Sequence, residues 1–231
     1  MAKHLDLEEQ EQLDDLKHFW KQYGDLITWV LIAVFGAVAA WNGYQYWQTR
    51  QSAQASVLYD EVDRAAQTGD IARLDQSFTD IKDRFGGTAY AQQAGLLAAK
   101  TYFDKGNVDA SRAALSWVAG HANDEAYQAI AKLRLSGLLL QNKSYAEATQ
   151  AVSGAFPKEF MPLAADRLGD ILAAQGKPAE AKVEYQKAYK DLDERAEYRR
   201  LVEVKLNALG VDPAPVPPVA LPTTVDAGAK S

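Results

Sequence analysis

The chain has 231 residues, 48% of them hydrophobic, a net charge of −6 and no cysteine. Residues 50–210 carry 21 basic and 22 acidic side chains, which excludes the basic field that nucleic-acid binding needs. The lack of cysteine suits an extracytoplasmic domain as well as a cytosolic one and separates neither.

Residues 1–24 form an acidic arm. Through Asp25 the chain holds three lysines (Lys3, Lys17, Lys21) against seven acids. That is the wrong sign for the basic start of a secretory signal. Leu13, Leu16, Trp20 and Tyr23 fall on one face of a short helix, the pattern of an interfacial segment.

Residues 25–48 read as a transmembrane helix. Leu26 to Trp47 is free of charge, and as a helix it would span roughly 33 Å, enough for a bilayer core. Ala37, Val38 and Ala39 could pass for a signal-peptidase site, but the apolar run continues into Trp41, Tyr44, Tyr46 and Trp47. Those aromatics read as an interfacial belt on an uncleaved anchor. Ala33, Gly36, Ala40 and Gly43 recur at i, i+3, i+7 and i+10, a stripe that would suit close packing with another helix in lipid as well as the ordinary composition of a span. Three lysines before the span and two arginines after it (Arg50, Arg64) lean towards a cytoplasmic N-terminus.

Residues 49–210 carry helix-period apolar residues broken by short Gly, Asn and Lys turns, without strand-like alternation. The predicted fold class is all-α: one N-terminal transmembrane helix followed by a tetratricopeptide-repeat (TPR)-like solenoid of helix pairs. The clearest repeat places Ala165, Leu168, Gly169, Leu172, Gly176, Ala181, Tyr185 and Ala188 at the TPR spacing. Small residues at 169 and 181 would let two helices approach, and Gly176 would permit the turn. Leu74, Ser111, Ala148 and Ala181 take the same second-helix position, 37, 37 and 33 residues apart, near the period of about 34. An unrelated helical bundle is the competing reading. Glu194 to Leu209 reads as the end helix that covers a solenoid's last apolar face. The first domain helix, Gln51 to Gln67, has no breaker separating it from the anchor, so the two are expected to run as one. Residues 211–231, with five prolines, read as a disordered tail.

The first helix of each pair should line the concave face. That nominates Gln93, Leu96, Lys100 and Phe103 from one repeat, Ile130, Leu133, Gly137 and Leu140 from the next, and Leu163, Asp166, Asp170 and Ala173 from the last. Leu133 and Leu140 equally fit inter-repeat core. Asp166 and Asp170, one turn apart, fit a solvated groove wall or an acid/base pair. The groove would be apolar in the middle and acidic at one end. No phosphate loop or dinucleotide fingerprint is present, and His4, His18 and His121 are scattered. No catalytic, cofactor-binding or metal-ligating residue is therefore nominated, and a binding protein rather than an enzyme is expected.

The order of parts carries a resemblance. The arm ends in Glu11-Gln12-Leu13-Asp14-Asp15-Leu16-Lys17-His18-Phe19-Trp20-Lys21-Gln22-Tyr23-Gly24, directly before the single span. The repeats include Ala131-Lys132-Leu133-Arg134-Leu135, and the region closes at Lys205-Leu206-Asn207-Ala208-Leu209. Over about residues 8–209 the chain resembles the YfgM-like family, the ancillary TPR subunit of the bacterial SecYEG translocon. The resemblance implies a single-pass inner-membrane protein with a cytoplasmic N-terminus and a periplasmic repeat domain. It implies association with the translocon and with a membrane-anchored periplasmic chaperone of the prolyl-isomerase type, assisting secreted proteins as they emerge. The residues by themselves also leave open a scaffold for another envelope assembly, or a regulator acting through the cytoplasmic arm.

Overall fold

The structure, a computed structural model, describes residues 7–213. The first six residues of the arm and residues 214–231 of the tail lie outside it. Every regular element among the described residues is helical. The chain divides into two compact units, one ending at Gln54 and the other beginning at Ala55.

The first unit is the N-terminal part of α1 (Leu7–Thr68), an uninterrupted helix that carries the arm, the apolar span and the first domain residues as the sequence leads one to expect. Its span shows bulky apolar side chains on all sides: Trp29, Phe35 and Trp41 are 72%, 68% and 64% exposed. A helix that is apolar all round and bare is matched to lipid as its solvent, and this is one helix long and apolar enough to cross a membrane. Two of its polar side chains find partners on the helix itself. The Thr28 hydroxyl donates to the Gly24 carbonyl at 2.7 Å, and the Asn42 amide donates to the Val38 carbonyl at 3.0 Å. Such internal partners lower the cost of carrying those groups at membrane depth.

The second unit stacks the end of α1 with α2 (Ile71–Phe85), α3 (Ala89–Asp104), α4 (Val108–His121), α5 (Glu125–Gln141), α6 (Tyr145–Val152), α7 (Met161–Ala174), α8 (Pro178–Asp191) and α9 (Glu197–Ala208), with a 3-10 turn at Lys158–Phe160 before α7. The helix pairs are α1/α2, α3/α4, α5/α6 and α7/α8. Each pair turns through a left-handed residue: Gly69, Gly106, Lys143 and Gly176, with Gly210 after α9. The residue after the turn often caps the next helix. The Asp70 carboxylate accepts from the Arg73 amide, and the Asn107 side chain accepts from the Ala110 amide, each satisfying one of the open N–H groups of a first turn.

The repeat positions read from sequence are buried. Leu74, Ser111, Ala148 and Ala181 sit inside, and one turn on so do Phe78, Leu115, Val152 and Tyr185. Gly169 has a steric reason: a Cβ there would fall 2.5 Å from the Tyr185 ring. The core runs as successive clusters. One joins the end of α1 to α5, one joins α5, α6 and α7, and one packs Ala181, Tyr185 and Ala188 against Val202 and Leu206 of α9. This is the neighbour-to-neighbour burial of a solenoid, with α9 as its end cap.

Lys143 is the one non-glycine in a left-handed turn among the described residues, at φ 59°. A Cβ in that conformation costs about 1 kcal/mol or more. Lys143→Gly is therefore expected to stabilise the domain by roughly 1 kcal/mol and to raise its unfolding midpoint by about 2–4 °C. Gly106→Lys, at an equivalent turn with open space around it, should shift the midpoint downward by a similar amount. Calorimetry on the full chain in detergent checks both; a lowered midpoint for Lys143→Gly would contradict the assignment of strain.

Candidate partner-binding groove

α3, α5 and α7 are the first helices of three successive pairs. Residues from them enclose an open cleft of about 590 Å³. Its floor is Ala99, Leu138 and, from α4, Ser111 and Leu115, all buried. Phe103 and Leu140 form the accessible apolar walls, and the Phe103 ring is 42% exposed. Large aromatics left this open are unusual on a polar helix end, and they are frequent anchors for partners.

The rim is cationic. Lys100, Arg134 and Arg167 line the cleft, and none of its lining residues is acidic. Lys100 holds Asp104 at 2.6 Å on the outer side of α3. Arg167 reaches Asp170 only at 3.5 Å, and its Nε is buried without an acceptor. Arg134 makes no ion pair among the described residues. The Arg167 guanidinium lies beside Gly137 of α5: a Cβ at 137 would stand in ordinary contact, 3.5 Å from its Cζ.

The structure sorts the residues nominated from sequence. Lys100, Phe103, Gly137 and Leu140 come together in the cleft. Leu96 does not; it is buried in the N-terminal core. Gln93 is half-buried and spent on a neighbour, its amide donating to the Tyr127 phenol at 2.6 Å.

Asp166 and Asp170 are a correction. Neither is part of a solvated acidic wall. Asp166 is 1% exposed. Both of its oxygens accept from Lys205 Nζ at 2.8 Å, and the Tyr198 hydroxyl donates to Oδ2 at 2.6 Å. Asp170 accepts from the Tyr185 hydroxyl at 2.9 Å and pairs with the same Lys205 at 2.7 Å. Burial, then the Asp170 charge, pushes the Tyr185 phenol far above its ordinary range. Burial and the hydrogen bond to Asp166 do the same for Tyr198. Both phenols therefore stay protonated as donors at neutral pH. This network clips α9 to α7 and α8, so the end cap consumes the acids that helical spacing had placed on the groove face. The groove is basic where an acidic end was expected.

Arg134 and Arg167 were missed, although a signal existed. Arg134 lies four residues after Ile130 and three before Gly137, and Arg167 lies four after Leu163. Helical spacing puts each on the face already nominated. In the other unit, Ala33, Gly36, Ala40 and Gly43 are all exposed, and a Cβ at Gly36 or Gly43 would meet nothing within 4 Å. The four residues therefore form an exposed stripe on the helix.

Comparison with known proteins extends these observations. Residues 17–211 match the family described as a tetratricopeptide repeat-like domain. The chain is 33% identical over 213 residues to an ancillary SecYEG translocon subunit of Neisseria gonorrhoeae, covering 90% of this chain and 100% of the relative. It is 29% identical over 208 residues to the protein of that name in Haemophilus influenzae, covering 88% and 98%. The Escherichia coli protein of that name is 22% identical over 206 residues, covering 88% and 97%. The matched region runs from the arm through the single span to the end of α9, so the shared unit is the whole arrangement and not the repeats alone. The chain belongs to the YfgM-like family of TPR-like proteins.

Proposed function

We propose that this chain is a membrane-anchored adaptor of the SecYEG translocon. Residues 1–24 would lie in the cytoplasm, residues 25–48 would cross the inner membrane, and residues 49–210 would present the groove in the periplasm. There it would link the channel to a membrane-anchored chaperone of the prolyl-isomerase type and assist secreted or envelope proteins as they emerge. The family is one of non-enzymatic adaptors, and a repeat solenoid with a concave cleft is a binding device by construction. The observation that carries the reading is end-to-end similarity to translocon subunits in a chain with one bare apolar helix. The open cleft supplies the surface for a partner.

A photo-crosslinking amino acid placed at Phe103 in the full chain tests the reading in cells. The side chain is exposed, so the substitution leaves the core untouched. Adducts with a periplasm-facing membrane chaperone, or with secreted chains in transit, are expected. Adducts confined to cytoplasmic proteins would overturn both the orientation and the role.

A further inference from the structure

The charge balance of the cleft goes further than its shape. We propose that the groove selects a polypeptide segment that carries a carboxylate beside an apolar side chain. The apolar group would seat against Phe103 and Leu140, and the carboxylate would be held by Arg134 and Arg167. This rests on the cleft being the partner surface and names the chemistry it prefers.

Three observations converge on an acidic occupant. First, Lys100, Arg134 and Arg167 line the cleft and no acid does: Lys100 is paired with Asp104 and Arg167 only loosely with Asp170, while Asp166 and Asp170 are engaged more closely by Lys205, Tyr185 and Tyr198. Second, Arg167 Nε is a buried donor without an acceptor. Its terminal N–H groups, one of them held to Asp170 only at 3.5 Å, are the donors that an incoming carboxylate would engage. Third, Arg134 has no ion pair among the described residues and shares the opening with Arg167. Guanidinium groups present forked N–H donors matched to the two oxygens of a carboxylate.

The same arrangement rejects alternatives. A basic segment meets Arg134, which has no ion pair among the described residues, and Arg167, which is only loosely paired. A neutral apolar segment covers the guanidinium groups without replacing their water. Discrimination of this kind combines an attraction for one class with a penalty on the others. A cleft spanning three successive helix pairs also suits an extended chain, which can place an apolar residue on one pair and an acid on the next.

The test uses the full chain in phosphatidylcholine nanodiscs and a fluorescent peptide with a Leu-Glu-Leu-Glu core between Gly and Ser residues. An isosteric Leu-Gln-Leu-Gln peptide is the comparison, and binding is read by anisotropy. The glutamate peptide is expected to bind at least about tenfold more tightly, equivalent to about 1.4 kcal/mol. Arg134→Gln, an exposed change, should remove most of that preference while leaving thermal unfolding unaltered. Phe103→Ala should weaken both peptides alike. Equal affinity for the two peptides, or a preference that survives both Arg134→Gln and Arg167→Gln, overturns the proposal. If both peptides bind equally but depend on Phe103, acid selection fails and the groove stands. If neither binds, acid selection fails and the Phe103 crosslinks judge the groove separately.

Discussion

Replacing Lys205 by methionine is expected to destabilise the repeat domain by about 3 kcal/mol or more. Among the described residues Lys205 is the one cation bonded to Asp166, and it lies 2.7–2.8 Å from Asp166 and Asp170. Asp166 is 1% exposed. Removing the ammonium leaves the buried Asp166 carboxylate with only the Tyr198 phenol as a side-chain donor, and the partly buried Asp170, one helical turn on, with the Tyr185 phenol and Arg167 at 3.5 Å. An uncompensated buried charge of this kind ranks among the large single-residue effects. A loss of 3 kcal/mol in a domain of this size corresponds to about 6–12 °C in the unfolding midpoint. α9 should loosen first, because Val202, Leu206 and the Tyr198 bond would be left to hold it. Hydrogen exchange should therefore rise in α9 and α7 before it rises in α3. The double change Lys205→Met with Asp166→Leu should recover much of the loss, since replacing a buried pair by apolar groups is often neutral. A Lys205→Met midpoint within about 2 °C of the parent would show that the clip carries little of the end cap's stability.

That network also marks where sequence reading stops. The solenoid was legible because burial repeats at fixed spacing. Leu74, Ser111, Ala148 and Ala181 all fall inside. Local rules sufficed for the turns as well, with Gly69, Gly106 and Gly176 left-handed. Asp166 offered no such local clue. Its partners Tyr198 and Lys205 lie 32 and 39 residues away, and its own helix shows only another acid one turn on. Two acids on a helix face look solvated until a lysine from the end cap folds over them. The groove was half legible for a related reason. Helical spacing placed Lys100, Phe103 and Leu140 on the face that lines the cleft, yet it also nominated Leu96, whose exposure was decided by neighbouring helices packing over it. The basic character of the cleft depended on which charges were already spent, and that is a tertiary fact.

The double change Phe103→Ala with Lys100→Glu is expected to weaken capture of the groove's partner by about 2 kcal/mol or more, roughly thirtyfold. Phe103 is an exposed aromatic at the edge of a buried apolar floor. Truncating it removes the widest apolar surface a partner could cover. Lys100 is 67% exposed and holds Asp104 at 2.6 Å, so glutamate at 100 both deletes a cation and places a second acid beside Asp104. An acidic segment would then meet repulsion at the rim where it had met attraction. The fold should tolerate the pair. Neither side chain is buried, and an exposed i,i+4 ion pair contributes only about 0.3–0.5 kcal/mol. Thermal unfolding of the full chain is the control, and co-purification in mild detergent with the partner identified by crosslinking is the readout. Lost capture with an unchanged midpoint places the partner in the groove. Capture that persists undiminished would move the docking surface elsewhere, and the exposed stripe of Ala33, Gly36, Ala40 and Gly43 would become the next place to cut.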